Sequence, residues 1–120
     1  LDPDQFDSFI GSLSNPVHCT QGPPGTGKSY VGVVMARALL VIRSWWMKVS
    51  PSAGEPPILI LSYKNHAIDE FLLDLIKAEH SVKMIRMGTS SEPKLSAYSE
   101  NSVSRSLPFV SKLRNGILFY

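Results

Sequence analysis

Apolar residues in this chain recur at helical spacing in some stretches and run continuously in others, and the two patterns alternate. Phe6, Phe9, Ile10 and Leu13 line one face of a first helix. Asp2 followed by Pro3 supplies an N-cap with proline at the first helical position, and Asn15-Pro16 ends the helix. Pro16 to Thr20 reads as a short buried strand. A second, strongly apolar helix runs from about Gly27 to Met47, and Ser50 to Pro57 is a loop punctuated by Pro51, Gly54, Pro56 and Pro57. Ile58-Leu59-Ile60-Leu61-Ser62 is a continuous apolar run, the signature of a strand covered on both faces. Asn65 to about Glu79 is an amphipathic helix with Ile68, Phe71, Leu72, Leu75 and Ile76 on one side, and Lys83 to Met87 reads as a third strand stopped at Gly88. Strand–helix–strand–helix–strand predicts an α/β fold with a parallel sheet and right-handed crossovers.

The pattern changes after Gly88. Thr89 to Leu107 is serine-rich with scattered charges and reads as loop or disorder, and Pro108 to Tyr120 is apolar enough for one further element. The expected organisation is therefore a domain over 1–88 followed by a serine-rich loop and tail over 89–120.

Composition narrows the function classes. The formal net charge of +2 is too small to argue for a nucleic-acid partner by itself. A single cysteine, Cys19, allows no internal disulfide, and His18, His66 and His80 lack zinc-ligand spacing. The acidic start Leu1-Asp2-Pro3-Asp4 resembles neither a signal nor a transit peptide, so an intracellular location, cytoplasm or nucleus, is expected. Arg37, Arg43 and Ser44 interrupt the apolar stretch Tyr30–Met47, which favours a buried core helix over a membrane span.

The chemistry is concentrated in Gly22-Pro23-Pro24-Gly25-Thr26-Gly27-Lys28-Ser29, which fits the phosphate-loop pattern G-x-x-x-x-G-K-[ST] at every fixed position. Glycines let the backbone wrap an anion with its N–H groups pointing inward, and the following helix adds its positive end. Lys28 is placed to reach the β- and γ-phosphates and Ser29 to hold Mg²⁺, so a purine triphosphate with magnesium is the expected ligand, ATP once the family resemblance is added. The bland alternative is a glycine-rich turn with no ligand.

With these residues in view, the chain resembles the superfamily 1 helicases of the nonsense-mediated-decay type, whose motor is RecA-like. Leu1-Asp2-Pro3-Asp4-Gln5 resembles the Q motif and Gln21 to Ser29 resembles motif I. Ser62-Tyr63-Lys64-Asn65-His66-Ala67-Ile68-Asp69-Glu70-Phe71 is similar to motif Ia, most of all in helicase-like proteins with NFX-type zinc fingers. The likeness covers about Leu1 to Gly88. It implies a partial RecA-like, three-layer fold that stops before Walker B, and an ATP-dependent motor acting on single-stranded RNA or DNA. It also implies that Lys28 is catalytic, that Gln5 reads adenine, that Lys64 and Asn65 hold the sugar–phosphate backbone, and that a second RecA-like domain completes the motor. Lys64 departs from the family, which commonly has a small hydroxyl residue there.

Each of these roles has a structural competitor. The spacing Asp2-x-x-Gln5 is equally that of a capping box. Asn65 could simply cap a helix beside a solvated lysine. Trp45-Trp46 could stack on bases, but packing beneath a loop or neighbouring domain is the commoner use of tryptophan. Asp69-Glu70 lies inside a helix and so is not a Walker B pair; a solvated face is expected for it, and first-turn packing for His66.

Hydrolysis requires a strand-terminal acid pair and an arginine finger, and neither is visible here. Two alternatives to a motor piece therefore stand: a module that binds nucleotide without turnover, and part of an AAA-type ATPase.

Overall fold

The structure, a computed structural model, describes residues 1–51, 54 and 56–106. The predicted apolar element over Pro108–Tyr120 lies outside them. The chain divides into two compact units, Leu1–Ile60 and a second that begins at Leu61.

In the first unit, α1 (Pro3–Ser14) packs against α2 (Lys28–Val49). The sequence sets both ends of α1. Asp2 Oδ1 accepts from the Gln5 backbone N–H at 2.8 Å while Gln5 Oε1 accepts from the Asp2 N–H at 3.2 Å, so the capping box is complete. Asn15 closes the other end, its backbone and side-chain N–H groups both donating to the Gly11 carbonyl. No residue of α1 is fully buried, so its anchorage is largely polar, as in the Ser8–Thr20 hydroxyl contact of 2.7 Å. The buried apolar residues of this unit are Val31, Val33 and Ala36, all on α2.

In the second unit, α3 (Asn65–Ala78) packs against a 3-10 helix (Pro93–Tyr98), which also contacts α4 (Glu100–Ser106). Among the described residues of this unit, Leu72 and Leu75 on α3 and Leu95 on the 3-10 helix are the buried apolar ones. Each buried leucine contributes about 1.5–3 kcal/mol of apolar stabilisation.

The architecture corrects the expected α/β fold. Among the described residues there is no strand and no sheet, and hence no RecA-like three-layer arrangement. Pro16–Thr20 and Ile58–Ser62 are not helical, and neither forms a strand pairing among the described residues. Val17, Leu59 and Leu61 are 88%, 77% and 81% exposed. The third predicted strand, Lys83–Met87, makes one isolated parallel bridge, Arg86 with Ser99, in which the Arg86 N–H donates to the Tyr98 carbonyl at 2.7 Å. The reason is physical: an apolar run records a tendency to be buried, whereas a strand exists only where a second backbone accepts its hydrogen bonds.

Two further expectations change. Thr89–Leu107 was expected as loop or disorder, yet it contains the 3-10 helix and α4. Leu95 anchors the former, and Ser99 caps the latter, its hydroxyl accepting from the Ser102 N–H at 3.3 Å. The expected buried core helix α2 buries only Val31, Val33 and Ala36. It is also long and apolar enough, by length and composition, to cross a membrane.

Candidate functional site

The phosphate-loop residues lie together in the first unit. Gly25 and Gly27 have φ of +82° and +79°, left-handed conformations in which a Cβ is strained. Gly27 is the N-cap of α2, so Lys28 and Ser29 occupy its first turn, where backbone N–H groups lack helical acceptors. Lys28 folds back over the loop, and its Nζ donates to the Gly22 and Pro23 carbonyls at 2.6 Å each. Thr26 Oγ1 donates to the Pro23 carbonyl at 2.8 Å. Pro24 and Ser29 are exposed beside these groups.

Glycine is required at Gly22 for packing as well, since a Cβ there would stand 2.8 Å from Thr26 Oγ1. A cavity of about 280 Å³ opens next to the loop, lined by Gln5, Gly22, Pro23, Thr26 and Lys28 together with Asp2 and Asp4. The Lys28 ammonium, hydrogen-bonded to the loop carbonyls, borders this cavity at the N-terminal turn of α2, and the left-handed Gly25 and Gly27 shape the same loop. That donor set suits a polyanion.

Gln5 proves to be a structural link as well as a candidate reader of adenine. Its Nε2 donates to the Thr26 carbonyl at 3.2 Å, in addition to the capping box. One Nε2 hydrogen and one oxygen lone pair remain for any base.

In the second unit, Asn65 opens α3 next to Lys64, both exposed. Beneath Asn65 lies a charged network that sequence reasoning missed. Arg86, 4% exposed, donates from Nε to Asp69 Oδ1 at 2.7 Å, and Asp69 is 2% exposed. Arg86 Nη2 donates to Asn65 Oδ1 at 3.2 Å and to the Thr89 carbonyl at 3.1 Å, while Nη1 donates to the Met87 carbonyl. Ser90 Oγ donates to Asp69 Oδ2 at 2.8 Å. Burial pushes the Asp69 carboxyl up, but hydrogen bonds from Arg86 and Ser90 and the adjacent guanidinium charge prevail and hold it below its usual value.

The solvated face expected for Asp69-Glu70 therefore holds only for Glu70, which is exposed and lies 3.2 Å from His66. His66 is exposed too, not packed in the first turn. A signal was present for Asp69: helical spacing sets it on the face of Leu72 and Ile76, where a lone carboxylate needs a partner. Trp45 and Trp46 are 63% and 52% exposed, so the packed role is not realised among the described residues. Lys48 Nζ lies 5.4 Å from the Trp45 ring centroid.

A family model described as an AAA domain matches residues 1–113. The chain belongs to the AAA domain family. Its relatives place it among the superfamily 1 helicase-like members. It is 36% identical over 95 residues to the human NFX1-type zinc finger-containing protein 1, covering 79% of this chain and 5% of that protein. It is 32% identical over 98 residues to the fission yeast (Schizosaccharomyces pombe) helicase required for RNAi-mediated heterochromatin assembly 1, covering 81% of this chain and 9% of that protein. The chain thus spans less than a tenth of the length of these relatives. No solved structure matches it. Membership of the AAA family and the likeness to a protein named as a helicase fit a helicase-like, nucleotide-binding piece.

Proposed function

We propose that the first unit binds the triphosphate of ATP with Mg²⁺, and that Lys64 and Asn65 contribute to holding the backbone of single-stranded RNA or DNA in an ATP-dependent helicase. The observation that carries the nucleotide reading is that Lys28, in the first turn of α2, borders a cavity together with Gly22, Pro23 and Thr26, in a loop turned by the left-handed Gly25 and Gly27. Gly22 to Lys28 would surround the phosphates with N–H donors and one ammonium. Ser29 would offer its hydroxyl to the cation, which supplies charge neutralisation at the phosphates. Gln5 would meet adenine with the donor and acceptor capacity left to it. In a helicase, Lys28 would act on the developing charge of the transferred phosphate.

A second reading, nucleotide binding without turnover by these residues, is favoured by one observation. The acidic pair Asp69-Glu70 is committed elsewhere, Asp69 to Arg86 and Ser90 and Glu70 to His66. Turnover would then need a strand-terminal acid pair and an arginine from a second RecA-like domain, neither of which these residues supply.

Photolabelling with an azido-ATP analogue tests the proposal. Wild-type chain should label in competition with ATP, and Lys28→Ala should not; equal labelling of the two would overturn it. Single-turnover hydrolysis with RNA present separates the two readings, since unaided turnover contradicts binding alone.

A further inference from the structure

Asparagine amides are read in either of two orientations, and the partners decide which one holds. At Asn65 the partner is Arg86 Nη2, at 3.2 Å. A guanidinium has five N–H donors and no acceptor, so only the amide oxygen can face it. The carboxamide is planar, and its Nδ2 group therefore points away from Arg86, on an exposed residue.

Arg86 is itself held without freedom. Asp69 takes Nε, the Met87 carbonyl takes Nη1, and Thr89 shares Nη2 with Asn65. Ser90 fixes the far oxygen of Asp69. The Asp69 charge neutralises Arg86 inside the unit, so the guanidinium is not itself an anion site. Its remaining influence is on the rotamer of Asn65.

We propose that Arg86 is a positioning residue for Asn65, locking the carboxamide with Oδ1 turned toward the guanidinium so that it presents its Nδ2 hydrogens outward to its ligand. Asn65 then selects for hydrogen-bond acceptors, and the non-bridging oxygens of a nucleic-acid backbone are acceptors only. The inference deepens the reading of Asn65 as a backbone-holding residue and rests on that reading for its ligand. The orientation itself does not depend on it.

The test uses the full chain and a fluorescein-labelled oligouridylate as probe. Asn65→Asp is the decisive variant. An aspartate still accepts from Arg86, now as an ion pair, but turns an oxygen toward the probe in place of the donor. Its melting temperature should rise, the gain vanishing in the Arg86→Lys background, while probe affinity falls about ten-fold or more. Arg86→Lys keeps the charge beside Asp69 but not the planar fork that spans to Asn65. It should weaken binding in the wild-type background and add nothing in the Asn65→Ala background.

Strictly additive losses would show a merely structural arginine and overturn the proposal, as would wild-type affinity in Asn65→Asp. If the wild-type chain binds no oligouridylate, the nucleic-acid reading fails. The melting cycle between Asn65→Asp and Arg86→Lys then still decides the orientation. Coupling upholds it, and its absence refutes it.

Discussion

Gln5 donates to the Thr26 carbonyl across 21 positions of sequence, joining the first turn of α1 to the tip of the phosphate loop. The same side chain closes the capping box on Asp2, so one amide sets both the start of a helix and the shape of the loop.

Those two duties can be separated. Gln5→Glu keeps an acceptor for the Asp2 N–H but sets a carboxylate against the Thr26 carbonyl. Helix stability should change little, whereas ATP-analogue affinity should fall roughly two- to ten-fold, the worth of one hydrogen bond. Gln5→Ala should lose both, with a further ~1 kcal/mol from the cap. Thermal melts beside nucleotide titrations distinguish the variants; equal affinity for Gln5→Glu and wild type would remove the tether from the account.

The loop glycines should differ in tolerance. Both Gly25 and Gly27 are left-handed, so alanine costs about 1–2 kcal/mol at either one. At Gly25 a Cβ meets open space, but at Gly27 it stands 2.7 Å from Gln5 Nε2. Gly27→Ala should therefore lose more stability and more nucleotide affinity than Gly25→Ala. The reverse order in parallel denaturant melts would contradict the loop geometry.

Asp69 should make stability depend on acid pH. Its carboxyl is held below the usual value in the fold, so the unfolded chain takes up the proton first as pH falls. The contribution is complete above about pH 4, the unfolded value, and is lost as pH drops further through the folded one. Asp69→Asn should flatten that acid limb of a stability-against-pH curve measured by urea unfolding.

The Asp69–Arg86 pair should also be strongly non-additive. Asp69→Ala leaves Arg86 buried and unpaired, at a cost of about 3–5 kcal/mol. Asp69→Leu with Arg86→Met removes both charges and should cost far less than the sum of the single changes. Chemical denaturation of the four chains provides the cycle.

Trp45 and Trp46 should report solvent. With 63% and 52% of their surfaces exposed, their emission should lie near that of free tryptophan and be quenched readily by acrylamide. A blue-shifted, protected spectrum would mean that the end of α2 is covered.

Legibility followed the range of each interaction. The capping box at Asp2 and Gln5, the start of α2 behind Gly27 and the span of α3 were all readable, because their determinants lie within a few residues of one another. The buried Asp69–Arg86 pair was not, because its members stand 17 positions apart and each has an ordinary exposed reading when taken alone. The serine-rich stretch after Gly88 was misjudged for a related reason: Leu95 is one of few apolar residues in it, and only packing shows that it is fully buried.

By itself, the sequence determined the phosphate loop with its glycines and Lys28, the three principal helices and their ends, and the helicase-like kinship of the chain. The tertiary structure alone decided that the apolar runs at Pro16–Thr20 and Ile58–Ser62 remain unpaired among the described residues, that Gln5 serves the loop, and that Arg86 stands behind Asn65. Caps and turns draw their hydrogen bonds from neighbours in the chain and are written locally. Strand pairing and charge burial draw theirs from distant backbone and side chains, which only the folded arrangement brings within reach.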